Sequence, residues 1–156
     1  MGVSGCGKST IGAALAERLS WPFLDADDLH PESNVARMAA GEPLSDADRL
    51  PWLAAIRDEM TASGPDLVVA CSALRRAYRD VLRAGPGPVR FVYLDVNAEI
   101  LRLRLAHRHG HFMPSRLLDS QLATLEPPAE DEQVVRIVIH EDRSVGDVVG
   151  EIAARI

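Results

Sequence analysis

Residues 2–9 contain the glycines, lysine and serine of a loop that binds phosphate groups. The segment reads Gly-Val-Ser-Gly-Cys-Gly-Lys-Ser, which matches the pattern G-x-x-x-x-G-K-[ST] at every fixed position. Glycines let backbone N–H groups converge on phosphate oxygens, and a following helix adds the partial positive charge of its N-terminus. The residues expected to contact phosphate are Gly2, Ser4, Gly5, Cys6, Gly7, Lys8, Ser9 and Thr10. The alternative is a structural glycine turn ahead of a helix.

Lys8 is the only lysine of the chain, and the other sixteen basic residues are arginines. A compact ammonium group and a planar guanidinium differ in size and in donor geometry, so a site that encloses one rejects the other. In the loop pattern this lysine reaches the terminal phosphates, and the hydroxyl of Ser9 binds Mg²⁺. We therefore assign a catalytic role to Lys8 and a metal-binding role to Ser9.

Asp25 and Asp27 are the best candidates for the carboxylates that phosphoryl transfer requires. The apolar run 67–71 has no aspartate and offers no metal ligand there. Alternation along an extended segment places Asp25 and Asp27 on one side. We assign Asp25 to the metal, through water, and Asp27 to the hydroxyl that accepts the phosphate. Helix capping is the alternative for these acids, and Asp28 fits that role better.

The remaining chain predicts the elements that position these residues. Apolar runs predict strands, and periodic segments predict helices, with Pro51 in the first turn of a helix that follows a loop over 42–48. The predicted strands cover 21–25, 67–71, 89–94 and 134–139, and the predicted helices cover 10–19, 31–40, about 51–63, 73–84, 97–108 and 145–156. Alternating strands and helices indicate an α/β fold, in which a mostly parallel sheet is covered by helices on both faces.

Only Met1 precedes the loop, although a loop of this type normally follows a buried strand. We expect the native protein to begin upstream with a short β-branched strand, which occupies the centre of the sheet. Without this strand the sheet has an empty position.

Composition limits the possible classes of partner. The length of 156 residues predicts one domain over 1–156. A net charge of −6 argues against general electrostatic binding to a nucleic-acid backbone. No apolar run approaches the length of a membrane helix, and the two cysteines, Cys6 and Cys71, suit a reducing compartment. We expect a cytoplasmic protein with two buried thiols; a redox switch between them is the alternative.

Four further segments carry a specific resemblance. They are Leu-Asp-Ala-Asp-Asp-Leu-His-Pro at 24–31, Gly-Glu-Pro-Leu-Ser-Asp-Ala-Asp-Arg-Leu-Pro-Trp-Leu at 41–53, Cys-Ser-Ala-Leu-Arg-Arg-Ala-Tyr-Arg-Asp at 71–80 and Gly-His-Phe-Met at 110–113. With the phosphate loop, and in this order, they resemble the bacterial gluconate kinases of the phosphate-loop type over nearly the whole chain. The resemblance implies a nucleoside-monophosphate-kinase-like fold, with a five-stranded parallel sheet of order 2-3-1-4-5 whose first strand is missing here. It also implies ATP-dependent phosphorylation of D-gluconate at its 6-hydroxyl.

The resemblance further implies an arginine-bearing lid, at about 104–124. Arg104 and Arg108, four residues apart, share one helix face and are expected to meet the phosphates. A solvated charged face is the alternative for both arginines.

Gluconate has one carboxylate and five hydroxyls, so its pocket needs an arginine fork and small polar partners. Arg49 and Arg79 are the carboxylate candidates, and Asp27, His30, Asp48 and His111 complete the expected substrate residues.

Three other interpretations stay open. His107, His109 and His111 alternate as in a metal site, although their spacing does not suit zinc. The enzyme could be another small-molecule kinase, such as a shikimate-type kinase, or a non-catalytic relic that only binds nucleotide. The resemblance also suggests a homodimer.

Overall fold

The computed structural model describes residues 1–106 and 115–156, in which strands and helices alternate. The strands are β1 (Phe23–Asp25), β2 (Val68–Ala70), β3 (Val92–Val96) and β4 (Val135–Ile139). The α-helices are α1 (Lys8–Leu19), α2 (Glu32–Ala39), α3 (Asp46–Ser63), α4 (Arg76–Arg83), α5 (Ala98–Ala106), α6 (Ser115–Thr124) and α7 (Val145–Ala153). Short 3-10 helices cover Ala26–Leu29 and Glu130–Glu132. No helix within the described ranges is long and apolar enough to cross a bilayer.

The four strands form two parallel pairs. β1 lies beside β2 with Leu24 opposite Val69, and β3 lies beside β4 with Leu94 opposite Ile137. Parallel pairing confirms the α/β class. The third strand begins at Val92 and not at 89, because its register with β4 starts there.

Met1 and Gly2 lie between the two pairs and hydrogen-bond to both. The Met1 ammonium donates to the Val92 carbonyl at 2.5 Å, and the Leu94 N–H donates to the Met1 carbonyl at 3.0 Å. On the other side the Gly2 N–H donates to the Ser72 carbonyl at 3.1 Å. A cavity of about 940 Å³ opens here, with residues of β2 and β3 in its wall. The expected order 2-3-1-4-5 counts the missing strand as strand 1. In that numbering the observed pairs β1–β2 and β3–β4 correspond to the neighbours 2-3 and 4-5.

Two apolar clusters lie on opposite faces of the strands. One contains residues of α1, α5 and α7, and the other contains residues of α3 and α4. Val68 packs against the first cluster and its neighbour Val69 against the second. Because successive strand residues point to opposite faces, helices cover both sides of the strands, as the sequence predicts for a three-layer fold.

The start of α3 differs from the prediction. Ser45 and Asp48 form a capping box, in which the Ser45 hydroxyl accepts from the Asp48 N–H and the Asp48 carboxylate accepts from the Ser45 N–H. The helix therefore begins at Asp46, inside the predicted loop over 42–48. Pro51 consequently lies in the second turn of the helix and not in the first.

Both cysteines are buried and free, as predicted. Burial raises the pKa of the Cys71 thiol to about 11. This thiol is therefore protonated at neutral pH, which suits a core side chain better than a reactive one.

Arg79 is fully buried and joins three separate parts of the chain. Its Nε and Nη2 donate to the two carboxylate oxygens of Glu132, at 2.6 and 2.7 Å. Its Nη1 donates to the backbone carbonyls of Ala73, Leu74 and Glu126, at 3.2–3.3 Å. The hydrogen bonds from Arg79 lower the pKa of Glu132 to about 2. The pair thus fastens α4 to the segment that follows α6.

Replacing Arg79 with alanine should lower the free energy of unfolding by about 3 kcal/mol, because the buried Glu132 carboxylate loses its two short hydrogen bonds and keeps only the longer contact to Arg83 at 3.3 Å and the Ala129 N–H. Denaturant unfolding followed by circular dichroism measures this loss.

The matched control is Arg76→Ala. Arg76 lies on the same helix and pairs with Asp131 at 2.7 Å, but about half of its side chain is exposed. An exposed pair contributes less than about 1 kcal/mol. Equal losses in the two variants would contradict the role assigned to the buried pair.

Candidate active site

The phosphate loop is shaped by glycines in conformations that other residues rarely adopt. Gly7 precedes α1 with φ of 97°, and Gly2 has φ of 143°. A Cβ atom on Gly2 would lie 2.9 Å from the Cys6 Sγ and 3.1 Å from the Leu94 carbonyl oxygen. Gly7 makes no side-chain cap for α1. The first N–H groups of the helix therefore face the loop, where an anion can accept from them.

In this structure the Lys8 ammonium and two backbone N–H groups of the loop donate to acceptors within the protein. The Lys8 ammonium donates to the Val3 carbonyl at 3.1 Å, and the Cys6 N–H donates to the same oxygen at 3.3 Å. The Ser4 N–H donates to the side-chain oxygen of Gln121, on α6, at 2.6 Å. Sequence reasoning missed this contact of Gln121, because the two residues are far apart in the chain and form no local pattern.

Ser9 and Asp25 form the oxygen pair that the sequence predicts for a metal. The Ser9 hydroxyl donates to the Asp25 carboxylate at 2.5 Å. Asp25 ends β1, and Ser9 lies in the first turn of α1. A hydroxyl and a carboxylate are hard oxygen ligands, and Mg²⁺ commonly takes one or two protein oxygens together with phosphate and water. The residues present therefore fit Mg²⁺ bound in this way. Within residues 1–106 and 115–156, no cluster of three or more acidic, histidine or cysteine side chains could hold a metal alone.

Asp27 lies one short turn beyond Asp25 and not on the same extended segment. The chain enters the 3-10 helix Ala26–Leu29, whose first turn Asp25 caps by accepting from the Asp27 N–H at 3.1 Å. The capping residue is thus Asp25, and the assignment of that role to Asp28 is wrong. Both carboxylates nevertheless line the cavity of the phosphate loop.

This cavity has a volume of about 530 Å³ and brings together most of the predicted phosphate-binding groups. Arg104, on α5, also lies in its wall. Arg143, which follows β4, also lines it. The residues shared with the prediction are Ser4, Gly5, Cys6, Gly7, Lys8, Ser9, Thr10, Asp25, Asp27 and Arg104. One cavity therefore combines backbone donors, a lysine, two arginines and three carboxylates, the third being that of Asp28.

His30 continues the site on the far side of Asp27. Its side chain is 4% exposed, and its Nε2 lies 4.0 Å from the Asp27 carboxylate. The ring stacks on Trp52 at a centroid distance of 4.2 Å. Burial, reinforced by the charge of Arg49, lowers the pKa of His30 to about 4. His30 is therefore a neutral ring at physiological pH and serves as a hydrogen-bonding group.

Arg49 lies near His30 and above the ring of Tyr78. Its guanidinium carbon is 5.8 Å from the ring centroid, and that of Arg75 is 6.0 Å from it. The Tyr78 hydroxyl and the Arg75 guanidinium both donate to the carboxylate of Asp46, the latter at 2.7 Å. Sequence reasoning missed Asp46 and Tyr78, although both lie in the segments that carry the resemblance. Two cations therefore flank one buried aromatic ring.

Two of the predicted substrate residues have other contacts. The assignment of Arg79 to the substrate carboxylate is wrong, because its guanidinium is buried and its donors are taken by Glu132 and three carbonyls. Asp48 uses its carboxylate to cap α3 and to pair with Arg37 at 3.3 Å. The hydrogen bonds from Ser45 lower the pKa of Asp48. Of the two arginines predicted to bind the substrate carboxylate, Arg49 thus remains a candidate.

The second lid arginine, Arg108, and the substrate candidate His111 lie outside the described residues, as do His107 and His109. Their roles stay predictions.

Comparisons with known proteins identify the family of this chain. The model of the shikimate kinase family matches residues 4–156. The chain is 51% identical over 140 residues to a gluconokinase of Gluconobacter oxydans, covering 88% of this chain and 79% of that protein. The crystal structure of a gluconokinase from Sinorhizobium meliloti has a TM-score of 0.86 and 45% identity, over 99% of this chain and 87% of that one.

A third comparison is with an unliganded sugar kinase from Janibacter, whose structure has a TM-score of 0.90 and 42% identity. That match covers 99% of this chain and 90% of the other. Both fold and sequence therefore agree over almost the full length of residues 1–156. The chain belongs to the shikimate kinase family of phosphate-loop kinases and, within it, to the gluconokinases.

Proposed function

We propose that this protein transfers the terminal phosphate of ATP to the 6-hydroxyl of D-gluconate. The observation that carries the proposal is the single cavity in which the phosphate loop, Asp25, Asp27 and Arg104 meet. Next to it, His30 and Arg49 offer partners for a hydroxyl and for a carboxylate. The gluconokinase relatives indicate which carboxylated polyol fits.

The donor side of the site binds the triphosphate. The N–H groups in the first turn of α1 have no side-chain cap and can donate to the phosphates, and the loop N–H groups of Ser4 and Cys6 join them when they leave Gln121 and Val3. Lys8 gives up its hydrogen bond to the Val3 carbonyl and reaches the terminal phosphates. Arg104, which lines the same cavity, adds a second positive charge for the negative charge that spreads over the phosphate during transfer.

The Ser9 hydroxyl, and the Asp25 carboxylate through water, would hold Mg²⁺. When bound, the ion neutralises charge on the phosphate oxygens. Asp25 also accepts the Asp27 N–H, so the metal side and the acceptor side are linked by one short turn.

Asp27 orients the acceptor hydroxyl and takes its proton. The hydroxyl oxygen forms a bond to the terminal phosphorus while the bond from that phosphorus to the bridging oxygen of ADP breaks. Arg49 binds the carboxylate at the other end of the substrate, with its guanidinium held beside Tyr78. This fork places the far end of a six-carbon acid toward Asp27.

We also infer that the sheet is five-stranded, with order 2-3-1-4-5. The cavity between β2 and β3 is lined by apolar residues of both strands, and the backbone of Met1 and Gly2 already bonds to both sides at one end of it. Met1 pairs with β3 in the pattern of a parallel ladder, which supports a central strand that runs parallel to β3. The proposal also includes ATP as the phosphate donor and a homodimer as the assembly. It further includes Arg108 as a phosphate-binding residue of the lid and His111 as a substrate-binding residue.

The defining test is a coupled assay of ADP formation. We expect ADP release that depends on gluconate and does not occur with shikimate. Release with shikimate and not with gluconate would favour the shikimate-type alternative. ATP binding without acceptor-dependent release would favour the non-catalytic relic.

In the same assay, Arg49→Ala should raise the KM for gluconate about 10- to 100-fold, because a charged hydrogen bond is lost.

The matched control for Arg49 is Arg18→Ala, an exposed arginine in the last turn of α1, away from the loop. Arg18→Ala should leave the KM for gluconate and the KM for ATP unchanged. An unchanged KM for gluconate in Arg49→Ala would remove the carboxylate assignment.

Asp27→Asn should lower kcat by about 10²- to 10⁴-fold, because the amide cannot take the proton of the acceptor hydroxyl. ATP affinity, measured by calorimetry, should stay close to that of the unchanged protein. Asp28→Asn removes a carboxylate from the same short helix and should cost much less. Equal losses in the two variants would show that only the local charge matters and not the position of Asp27.

A further inference from the structure

Asn34 is a buried amide of α2 that lies beside His30 and has no assigned role. It is 3% exposed, and its amide nitrogen makes two contacts. The nitrogen donates to the backbone carbonyl of Asp48 at 2.9 Å and lies 3.4 Å from the Nδ1 of His30. A carbonyl oxygen can only accept, so the nitrogen of the amide and not its oxygen must face Asp48. Its second hydrogen is then available for the histidine.

This arrangement decides where the His30 ring carries its proton. Because Nδ1 accepts from Asn34, the single proton of the neutral ring must be on Nε2. Stacking on Trp52, with only 10° between the ring planes, fixes the orientation of the imidazole. Trp52 is fixed in turn, since its indole N–H donates to the Ala26 carbonyl at 2.7 Å. The Nε2–H therefore has a defined direction.

That N–H faces the carboxylate of Asp27 across a gap of the right size. The Nε2 atom lies 4.0 Å from the Asp27 Oδ1, which is too long for a direct hydrogen bond. One hydroxyl oxygen can, however, lie about 2.8 Å from both atoms. Such a hydroxyl accepts from the histidine and donates to the carboxylate. The two groups thus form a complementary pair for a hydroxyl.

We propose that Asn34 is a positioning residue, which holds His30 in its Nε2–H tautomer and so makes His30 and Asp27 a directional site for one hydroxyl of the polyol. The hydroxyl part of this inference rests on the proposed function, whereas the tautomer belongs to the free protein. The low pKa of His30 supports the geometry, because a ring that stays neutral keeps one nitrogen as acceptor. The charged groups that face the ring are Asp27 and Arg49.

The first measurement is the nitrogen NMR spectrum of the free protein with labelled histidine. His30→Gln identifies the signal of His30 among the five histidines. We expect a neutral ring at pH 7 whose proton is on Nε2, recognised from the couplings of each nitrogen to the two ring carbon-bound protons. A ring with its proton on Nδ1, or an even mixture of the two tautomers, would overturn the proposal whatever the enzyme's substrate is.

The second measurement uses Asn34→Asp, which keeps the shape of the side chain but removes both donors. A carboxylate beside Nδ1 can only accept, so the ring proton should move to Nδ1 or the ring should become charged. The KM for gluconate should then rise about tenfold, which corresponds to one lost hydrogen bond, with the KM for ATP unchanged. The control is Ser33→Asp, which adds the same charge at an exposed neighbouring position of α2. It should change neither the spectrum nor the KM.

Two results would contradict the proposal even if the variant folds normally. If Asn34→Asp raises the KM for gluconate while the tautomer of His30 stays the same, Asn34 acts only through the packing of α2. If the tautomer changes and the KM does not, the His30 and Asp27 pair binds no hydroxyl. In both cases gluconate-dependent ADP release by the unchanged protein would leave the proposed function standing. A missing release would remove the proposed function and leave the tautomer to the NMR measurement.

Discussion

The active site depends on one constraint: the backbone N–H groups at the start of α1 must stay free of protein partners and point to a common place. Gly7 satisfies it, since a left-handed residue without a side chain can lead directly into a helix whose end is not capped. The hydrogen bonds of Met1 and Gly2 to both strand pairs hold the other end of the loop. Because the loop is fixed at both ends, the uncapped N–H groups at the start of α1 are placed by folding, and only the inward-turned donors of Ser4, Cys6 and Lys8 must exchange their partners.

The parallel strands bring the acids to this loop. Asp25 is the last residue of β1, and parallel strands end at the same edge of a sheet, where α/β folds bind ligands. The Ser9 hydroxyl meets Asp25 there because α1 starts at that edge. Arg104 comes to the same cavity from α5, which follows β3. Asp25 and Ser9 thus converge because one ends a strand and the other begins a helix at the same edge, whereas Arg104 reaches the cavity from the last turn of α5.

Local patterns allowed the loop and the acids to be predicted, and long-range contacts explain the failures. The spacing of Gly7, Lys8 and Ser9 determines a loop by itself. The role of Arg79 depends on Glu132, which is 53 residues away and has no pattern in common with it. The contact of Gln121 with Ser4 spans 117 residues. Asp48 was recognisable, since serine three residues before an acid is the pattern of a capping box. The fold class followed from alternation alone, whereas the pairing of β3 at Val92 needed the register with β4.

The short helix Ala26–Leu29 is where the two halves of the chemistry meet. Asp25 caps this helix beside the Ser9 hydroxyl, and Asp27 lies within it, with its carboxylate 4.0 Å from the His30 Nε2. Ala26 between them is fully buried, and its carbonyl accepts from the indole of Trp52, which lies deep in α3. A shift of α3 would therefore move the turn, the histidine stacked on the indole and both carboxylates together. One buried tryptophan therefore anchors the turn that carries both carboxylates, which are only two residues apart in the chain.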